Sequence, residues 1–312
     1  MSADLQAPAF TDENAAREAM EAILWPHGAC CPRCGSLDRI SKLAGKAHRP
    51  GLYYCAGCKR QFTVTVGTIF ERSKVPLSKW WLAVHLLASS KKGMSSHQLM
   101  RMLGVTYQTT WFMTHRIREA MRSGSFATPM GGAGAVVEVD ETFIGQKKDM
   151  PKQRGYAHKH AVLTLVERGK GSRSFHVDGT SAADVMPILK ANIAKETRIM
   201  TDEAGQYAGV KKHFAGHDFT RHGAGEYVRG EVHTNTVEGF YSVFKRGMKG
   251  VYQHCSERHL HRYVAEFDFR YSNRSRLGVE DAQRAAMVIR GAMGKRLMYR
   301  RPDEGSLSPQ GK

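Results

Sequence analysis

Two pairs of cysteines near the N-terminus restrict the fold of this chain more than any other feature of its sequence. The motif Cys-x2-Cys occurs twice with 20 residues between the copies, at Cys31 and Cys34 and at Cys55 and Cys58. Each motif can form a tight turn that directs both sulfurs toward one ion, and four thiolates complete a closed tetrahedral zinc site. The neighbouring stretches "YYC" and "RQFTVTVGT" alternate as short strands do. We therefore predict a zinc ribbon over residues 29–70 that holds a structural zinc ion.

Helical periodicity occurs on both sides of the predicted ribbon. Residues 1–28 predict an acidic helix that ends before Pro26, because the residue preceding a proline disfavours the helical conformation. Residues 71–125 predict several helices, with a break at Gly104 and a capping hydroxyl at Thr106.

The break at Gly104 gives the second segment the form of a helix-turn-helix, whose second helix enters the DNA major groove. That helix would present four side chains at its N-terminal end: Tyr107, Gln108, Thr109 and Thr110. The alternative is a plain helical hairpin, in which Trp111 and Phe112 pack into a core. The charge of the chain favours DNA contact, with Gln108 and Thr109 as the residues that read it.

The chain carries a large excess of positive charge. It has 47 Lys and Arg against 29 Asp and Glu, a formal net charge of +18. A surplus of this size favours a polyanionic partner, nucleic acid before membrane, over solubility alone. No stretch approaches the roughly 20 apolar residues of a membrane span, and the N-terminus lacks a signal-peptide core. The cysteine motifs fit metal binding in a reducing compartment, so we expect a cytoplasmic protein with no membrane partner.

The order of elements in the second half predicts an α/β domain. A glycine-rich, uncharged stretch at 123–135 is typical of a linker. Beyond it we predict three strands, a helix and a fourth strand, at 135–145, 160–169, 172–179, 181–195 and 197–207. A fifth strand is possible around "EYVRGEVHT", and two helices follow it. Residues 278–312 carry no motif, and the end of this tail is predicted to be disordered.

Two aspartates lie where strands of this domain end. Asp140 belongs to the first predicted strand and Asp202 to the fourth. Side chains from distant segments converge at strand ends in an α/β sheet, so neighbouring strands would let the two carboxylates share Mg²⁺ or Mn²⁺. Glu138 and Glu141 are possible substitutes for Asp140. Glu138 shares its face of the strand, and Glu141 points to the other.

The helix in "HTNTVEGFYSVFKRGMKG" can supply a third ligand. Its apolar residues recur at i, i+3, i+4 and i+7 and predict a buried stripe: Val237, Phe240, Tyr241 and Phe244. Glu238 and Lys245, two turns apart, share a face that the stripe leaves free. A structural alternative is a capping box, in which Asn235 caps the helix and Glu238 bonds back to the cap. Together with the two aspartates, the pattern favours catalysis.

Five stretches of the sequence resemble a known family. They are "CPRCGS…YYCAGCKRQFTVTVGTIF", "VVEVDETFIGQKK", "TDEAGQY", "HTNTVEGFYSVFKRGMKGVYQH" and "HLHRYVAEFDFRYSNR". In order and wording they are similar to bacterial insertion-sequence transposases of the ISXO-like group, over about residues 18–275. The resemblance implies an N-terminal zinc ribbon and an RNase H-like catalytic domain of the DDE type, which we place at 135–277.

The resemblance also implies roles for the acidic residues. Asp140 of "VDETFIG" would be the first metal ligand, and Asp202 of "TDEAGQY" the second. The third position falls in "HTNTVEG", which contains both Asn235 and Glu238. We favour Glu238, because a carboxylate binds Mg²⁺ better than an amide and because Lys245 then follows at the expected offset. Asn235 is the alternative ligand, or a residue that supports the ligand.

The implied activity is that of a DNA transposase, which cuts DNA at the ends of an insertion sequence and joins the freed 3′-hydroxyl to target DNA. Two ions roughly 4 Å apart would activate the attacking oxygen and stabilise the leaving one. Lys245 would contact a phosphate near the scissile bond. Contacts to the DNA backbone would come from five basic residues: Lys147, Lys148, Arg246, Lys249 and Arg270. The alternative interpretation is that these residues form a solvated basic face. We expect a homo-oligomer on double-stranded DNA in the nucleoid, since two element ends must be held together.

Two other functions fit the same residues less well. One is a non-catalytic zinc-ribbon DNA-binding regulator, and the other is an RNase H-like nuclease without strand transfer, which would not need the ribbon. Metal-dependent strand cleavage distinguishes the regulator from both enzymes. Four histidines lack the spacing of a second metal site, so DNA contact or exposure is favoured for them: His233, His254, His259 and His261.

Overall fold

A computed structural model describes most of the chain. The described residues are 6–122, 128–148, 150–221, 223, 225–226, 228–295 and 297. They divide into two compact units. We call one the ribbon unit and the other the sheet unit; the first contains the described parts of 4–84, 96–120 and 286–312, and the second those of 85–95 and 121–285.

The ribbon unit begins with helix α1, Glu13–Leu24. The carboxylate of Asp12 caps it by accepting a hydrogen bond from the Ala15 N–H at 2.7 Å, and the helix ends before Pro26 as predicted. Three short antiparallel strands follow, β1, β2 and β3, at Ile40–Lys42, Tyr53–Cys55 and Arg60–Phe62. The fully buried part of their core is only Cys31, Tyr53, Cys55 and Phe62. So small a core needs a metal ion to stay folded.

Three helices come next in the sequence: α2, α3 and α4, at Leu77–Ser89, Ser96–Leu103 and Tyr107–Met121. The turn between α3 and α4 has the predicted chemistry. Gly104 has a φ of +60°, which a residue with a side chain rarely adopts. Thr106 Oγ1 accepts a hydrogen bond from the Thr109 N–H at 3.3 Å, so Thr106 caps α4.

The sheet unit is built on five strands, β4 to β8, at Val136–Ile144, His160–Glu167, Ser172–Val177, Arg198–Thr201 and Gly216–Phe219. Their order across the sheet is β6-β5-β4-β7-β8. The pairs β4/β5 and β5/β6 are antiparallel, whereas β4/β7 and β7/β8 are parallel. Helix α5, Ala182–Asn192, lies between β6 and β7 in the chain and makes the crossover that a parallel return requires.

Apolar cores cover both faces of this sheet. On one face, Val185 and Leu189 of α5 pack on β4 and β5. On the other face lie helices α6, Asn235–Gly247, and α7, Glu257–Ser272. The predicted stripe of α6 is confirmed as buried: Val237, Phe240, Tyr241 and Phe244. Because both faces are covered, β5 is buried along its whole length.

The strand considered possible at "EYVRGEVHT" is not the fifth strand of the sheet. The strand that extends the sheet is β8, Gly216–Phe219, which lies earlier in the chain than "EYVRGEVHT". Within that stretch, the described residues form only a small antiparallel hairpin of two strands with two residues each, β9 at Val228–Arg229 and β10 at Val232–His233. Gly230, with a φ of +61°, makes the tight turn between them. β8 is a partly exposed edge strand of four residues, too short to show alternation.

The predicted linker and the tail without motifs are described only in part. In the linker at 123–135, residues 128–135 are described, and Met130 there forms a β-bridge with Ile193. In the tail, helix α8 occupies Asp281–Arg290, while residues 298–312 lie outside the described residues. Across the described chain, none of the helices has the length and apolar character needed to cross a bilayer.

Candidate active site

The pairing of β4 with β7 determines where the two aspartates meet. The parallel register sets Val136 against Arg198 and Glu138 against Met200. If this register is continued by two residues, Asp140 lies beside Asp202, the residue that follows β7. The first and fourth strands of the domain are therefore neighbours, and their pairing brings together two carboxylates that are distant in sequence. Asp140 lies in the middle of β4 and not at the strand end predicted from the sequence, because β4 continues to Ile144.

Both aspartates line one open cleft of about 770 Å³ at this end of the sheet. Lys245 and Lys249 line the same cleft, as does Glu141. The site thus combines carboxylates with amines, an arrangement that can hold a divalent cation and a phosphate together.

Burial of carboxylates, and next their crowding, determine the electrostatics of the cleft. Burial, and next the charge of Asp202, raise the pKa of Asp140 to about 8, although the Glu141 N–H donates a 2.7 Å hydrogen bond to its carboxylate. Glu141 and Glu238 raise the same pKa further. Burial also raises the pKa of Glu141. Negative groups forced together in this way are the donor set that Mg²⁺ or Mn²⁺ neutralises, so the residues fit such an ion.

Glu138 lies on the same face of β4 as Asp140 but takes no part in the cleft. Its side chain is completely buried, and it accepts hydrogen bonds from the Thr236 and Val237 N–H groups at 2.8 and 2.9 Å. These are among the first N–H groups of α6, which have no partner within the helix. Arg168 Nε pairs with the same carboxylate at 2.6 Å. Glu138 is therefore a structural cap for α6 and not a substitute for Asp140.

Tyr241 forms a second connection between α6 and β4. Its buried hydroxyl donates to the backbone carbonyl of Asp140 at 2.5 Å and lies 3.3 Å from that of Val162. Burial, and next the charge of Asp140, raise the pKa of Tyr241 well above its usual value, so the hydroxyl keeps its proton. Glu138 and Tyr241 together hold α6 in one register against the strand that carries Asp140.

The capping-box alternative for α6 is corrected by the structure. Thr234 occupies the N-cap and Asn235 is the first helical residue. Glu238 Oε1 accepts a hydrogen bond from Thr234 Oγ1 at 2.9 Å, so it contacts the side chain of Thr234 and not a cap at Asn235. Asn235 and Glu238 are both exposed. Among the described residues, Asp140, Asp202 and Glu238 do not form a metal-ligand group as close as that of the cysteines.

Lys245 lies two turns along the same helix and faces the cleft from the α6 side. Its Nζ is 6.0 Å from the centre of the Tyr241 ring. The side chain is exposed and lines the cleft with the two aspartates, so the structure brings Lys245 and the aspartates together.

The other basic residues predicted to contact DNA have different environments. Lys148, Arg246 and Lys249 are exposed and Lys147 is half-buried. Arg270 requires a correction: its side chain is 6% exposed and pairs with Glu266 one turn earlier on α7. Its guanidinium also lies 4.6 Å from the centre of the Phe267 ring. Arg270 is therefore an internal ion-pair residue and not a DNA contact.

The N-terminal end of α4 presents only part of the predicted DNA-reading set. Gln108 is exposed and Thr109 is half-buried, while Tyr107 stacks on His97 with the ring centres 4.4 Å apart. Thr110 is completely buried, and its hydroxyl donates to the Thr106 carbonyl at 3.1 Å. Thr110 is thus removed from the residues available to DNA.

The four predicted zinc ligands come together in the ribbon. The sulfurs of Cys31, Cys34, Cys55 and Cys58 all lie within 4.8 Å of one another. Cys31 and Cys58 are 3.6 Å apart and Cys34 and Cys55 are 3.5 Å apart, Sγ to Sγ. A tetrahedral zinc site with Zn–S bonds of about 2.3 Å separates its sulfurs by about 3.8 Å, so the cluster fits zinc.

The four histidines considered for a second metal site do not form one in the described structure. His233 is half-buried, with its Nδ1 3.0 Å from Arg168 and 3.3 Å from Glu138, so it belongs to the network that caps α6. It is therefore neither a DNA contact nor a plain surface residue. His254 is exposed, and the Nδ1 of His259 lies 3.2 Å from Arg262.

Comparisons with known proteins agree with this description. The transposase zinc-ribbon domain matches residues 11–61, and the ISXO2-like transposase domain matches residues 131–272. An uncharacterized protein in transposable element ISH50 of Halobacterium salinarum is 31% identical over 283 residues, which cover 84% of this chain and 91% of that protein. The chain belongs to the ISXO2-like transposase family. The match and the cysteine cluster together support a structural zinc in the ribbon of this transposase.

Sequence reasoning considered Glu138 only as a substitute metal ligand and missed its role as the cap of α6 in the transposase. Glu138 positions α6, and with it Glu238 and Lys245, relative to Asp140. The available signal was weak: a charged residue between the valines of a buried strand requires a partner, but nothing local indicates which one.

Proposed function

We propose that this transposase is a DDE enzyme that binds the ends of its insertion sequence, cleaves the DNA there and transfers the freed strand to target DNA. One observation carries the proposal. Asp140 of β4 and Asp202, which follows the parallel neighbouring strand β7, lie side by side and open into a cleft that Lys245 also lines. The match to the transposase domain covers all three residues.

The sheet topology supports an RNase H-like domain at 135–277. Three antiparallel strands are followed by two parallel ones, which extend the sheet from β4 and not from β6. This arrangement makes β4 the central strand and sets its middle, next to Asp140, beside the C-terminal end of β7. The ribbon at 29–70 and the helices of 71–125 would then serve as the DNA-binding part of the protein, with 1–28 before them and 278–312 at the end.

The proposed metal ligands are Asp140, Asp202 and Glu238, with Asn235 as the alternative third ligand. When bound, Mg²⁺ or Mn²⁺ would supply Lewis-acid activation of the attacking oxygen and stabilise the charge on the leaving one. The protein supports this chemistry by orientation. Tyr241 holds the backbone of Asp140, and the Glu138 cap fixes where α6 begins.

Basic residues around the cleft would orient the DNA. Lys245 would contact the phosphate that reacts, and Lys147, Lys148, Arg246 and Lys249 would add contacts to the sugar-phosphate backbone. Gln108 and Thr109 would contact DNA from the start of α4. The partner is double-stranded DNA, both element ends and target, and the active form would be a homo-oligomer because two ends must be held together.

The test is cleavage of supercoiled DNA that carries the ends of the element, with Mg²⁺ or Mn²⁺, by the wild type and by Asp202→Asn. We expect cuts at the element ends and strand-transfer products with the wild type, and loss of both with the variant. The matched control is Asp218→Asn, which removes a carboxylate that lies on β8 and pairs with Arg198. It should cleave like the wild type.

Two other results would change the proposed function. Cuts without any joined product would indicate an RNase H-like nuclease. Tight, end-specific binding without cleavage by zinc-loaded wild-type protein would indicate a DNA-binding regulator.

A further inference from the structure

Three metal-ligating side chains meet on the sheet beneath the start of α7. They are His160, His176 and Glu257, and one ligand atom of each lies within 4.8 Å of the others. Glu257 Oε1 is 3.6 Å from His160 Nδ1 and 3.7 Å from His176 Nε2. All three belong to the sheet unit.

The fold brings the two histidines together without strain on either strand. His176 of β6 pairs with Val162 of β5, so His160, two residues from Val162, is its diagonal neighbour on the same face. The two imidazole rings are 5.6 Å apart between centres and nearly perpendicular. Glu257 is the first residue of α7 and reaches both rings from above.

His160 lines the same cleft as Asp140 and Asp202, but this group lies at a distance from those carboxylates. His160 pairs with Ile144, four residues beyond Asp140 on β4. Four residues of a strand span roughly 13 Å, too far for the ions of one two-metal site to be shared. The inference therefore does not depend on the transposase chemistry.

An ion pair between the glutamate and one histidine is the simpler account of the contact, and two observations oppose it. The side chain of His160 is only 4% exposed, and its buried Nδ1 has no hydrogen-bond partner in the described structure. Burial, and next the neighbouring His160, lower the pKa of His176 and so favour its neutral form. Neutral imidazole makes a weak ion pair but is the form that binds transition metals.

We propose that His160, His176 and Glu257 form a second transition-metal site, which binds zinc and joins the start of α7 to β5 and β6. Two imidazoles and one carboxylate are a known zinc donor set, and a water molecule would complete the tetrahedron. Mg²⁺ is disfavoured because two of the three donors are nitrogen.

The test is the zinc content of the full-length protein, measured after saturation with Zn²⁺ and removal of free ion. We expect two equivalents per chain for the wild type, one for the ribbon and one for this site. His176→Ala and Glu257→Gln should each retain one. The matched control is His254→Ala, which removes an exposed histidine three residues before Glu257 and should retain two.

A second measurement checks the structural role. Zn²⁺ titrated into protein that already contains ribbon zinc should raise the Tm of the wild type and of His254→Ala by several degrees, and should leave Glu257→Gln unchanged. Glu257 is half-exposed, so its substitution by Gln keeps the fold and decides the question if His176→Ala does not fold. One equivalent in the wild type, or two in Glu257→Gln, would overturn the proposal.

Discussion

Glu138, Asp140 and Glu141 lie within four positions of β4 and have three different environments. Glu138 is buried against the start of α6, Asp140 opens into the cleft, and Glu141 lines the same cleft from the opposite face of the strand, next to Gln206. The residue type alone does not distinguish them, because Glu138 and Asp140 share a face. Their hydrogen-bond partners do, since only Glu138 accepts from two N–H groups of α6 and pairs with an arginine.

Glu138→Gln should destabilise the sheet unit by about 3 kcal/mol, because it removes one partner of a buried ion pair and turns an amide N–H toward helix N–H donors. The measurement is the free energy of unfolding in urea. Glu196→Gln is the matched control: Glu196 is exposed, and its substitution should change the free energy of unfolding by less than about 0.5 kcal/mol. Equal effects of the two substitutions would show that the cap of α6 has no energetic importance.

Asp140→Asn should stabilise the protein at neutral and alkaline pH in buffer without Mg²⁺ or Mn²⁺. The folded-state pKa of Asp140, about 8, lies above the usual value of 3.8, so the unfolded chain releases this proton first. The contribution of the Asp140 carboxyl to the free energy of unfolding is fully present below about pH 4. It falls by a few kcal/mol as the pH rises to about 8. The Tm of the variant minus that of the wild type should therefore grow from pH 5 to pH 8. A difference that stays constant with pH would contradict the assignment.

Glu238→Gln and Asn235→Ala should separate the two candidates for the third ligand. We expect Glu238→Gln to abolish cleavage with Mg²⁺ and Asn235→Ala to retain most of it, because a carboxylate contributes charge that an amide cannot. The measurement is the rate of cleavage at the element ends over a Mg²⁺ titration. The reverse order of effects would assign the position to Asn235.

Helix α6 packs on the sheet and carries Lys245 into the cleft, so its packing matters as much as its charged face. Its two glycines have different surroundings. A Cβ on Gly247 would meet the Phe267 ring and would lie 2.6 Å from the Lys92 carbonyl oxygen, whereas a Cβ on Gly239 would have no atom within 4 Å. Gly247 has helical φ and ψ of −66° and −47°, so packing alone explains the need for glycine there.

Gly239→Ala and Gly247→Ala should therefore have opposite effects on stability. Gly239→Ala should raise the free energy of unfolding by up to about 1 kcal/mol through helix propensity. Gly247→Ala should lower it by about 1 to 3 kcal/mol, because the carbonyl of Lys92 and the ring of Phe267 must move. Thermal unfolding of the two variants beside the wild type measures both effects. Stabilisation by both substitutions would show that α7 does not pack against Gly247 in solution.

Much of the sheet could be predicted from the sequence because its strands carry strong local signals. The apolar runs of β4 and β5 and the end of β7 at Asp202 are visible as patterns, and so is the stripe of α6. Strand β8 could not be predicted, since "GHDF" is too short to show a period and its Phe219 is 37% exposed.

Some contacts that the sequence analysis missed are long-range, and one has a local spacing that the analysis did not use. Glu138 bonds backbone groups 98 and 99 residues away, and no pattern in a single sequence gives such a partner. The group of His160, His176 and Glu257 is likewise spread over three elements. Arg270 is different, because Glu266 precedes it by four residues on one helix. That spacing already indicated an ion pair, and it could have excluded Arg270 from the predicted DNA contacts.

At the scale of the whole molecule, the net charge of +18 should control DNA affinity. If about six to ten phosphates are contacted, non-specific affinity should fall roughly 10³-fold to 10⁵-fold between about 50 and 200 mM salt.

Lys245→Ala should reduce the slope of log K against log salt by about 0.9. Lys190→Ala, an exposed residue of α5 on the opposite face of the sheet, is the control and should leave the slope unchanged. Fluorescence anisotropy with non-specific DNA measures these slopes; the same slope for Lys245→Ala and wild type would remove Lys245 from the DNA contacts.

The alternation of side chains along β4 also restricts how the gene for this transposase can change. Loss of a single codon between Val136 and Val139 would turn every later side chain of the strand to the wrong face. The helix cap and the cleft carboxylate would disappear in one event, while the composition and almost every motif of the chain would persist. Copies of such an element can therefore look intact when compared residue by residue, and the spacing within "VEVDE" is the first place to look for one that has lost its activity.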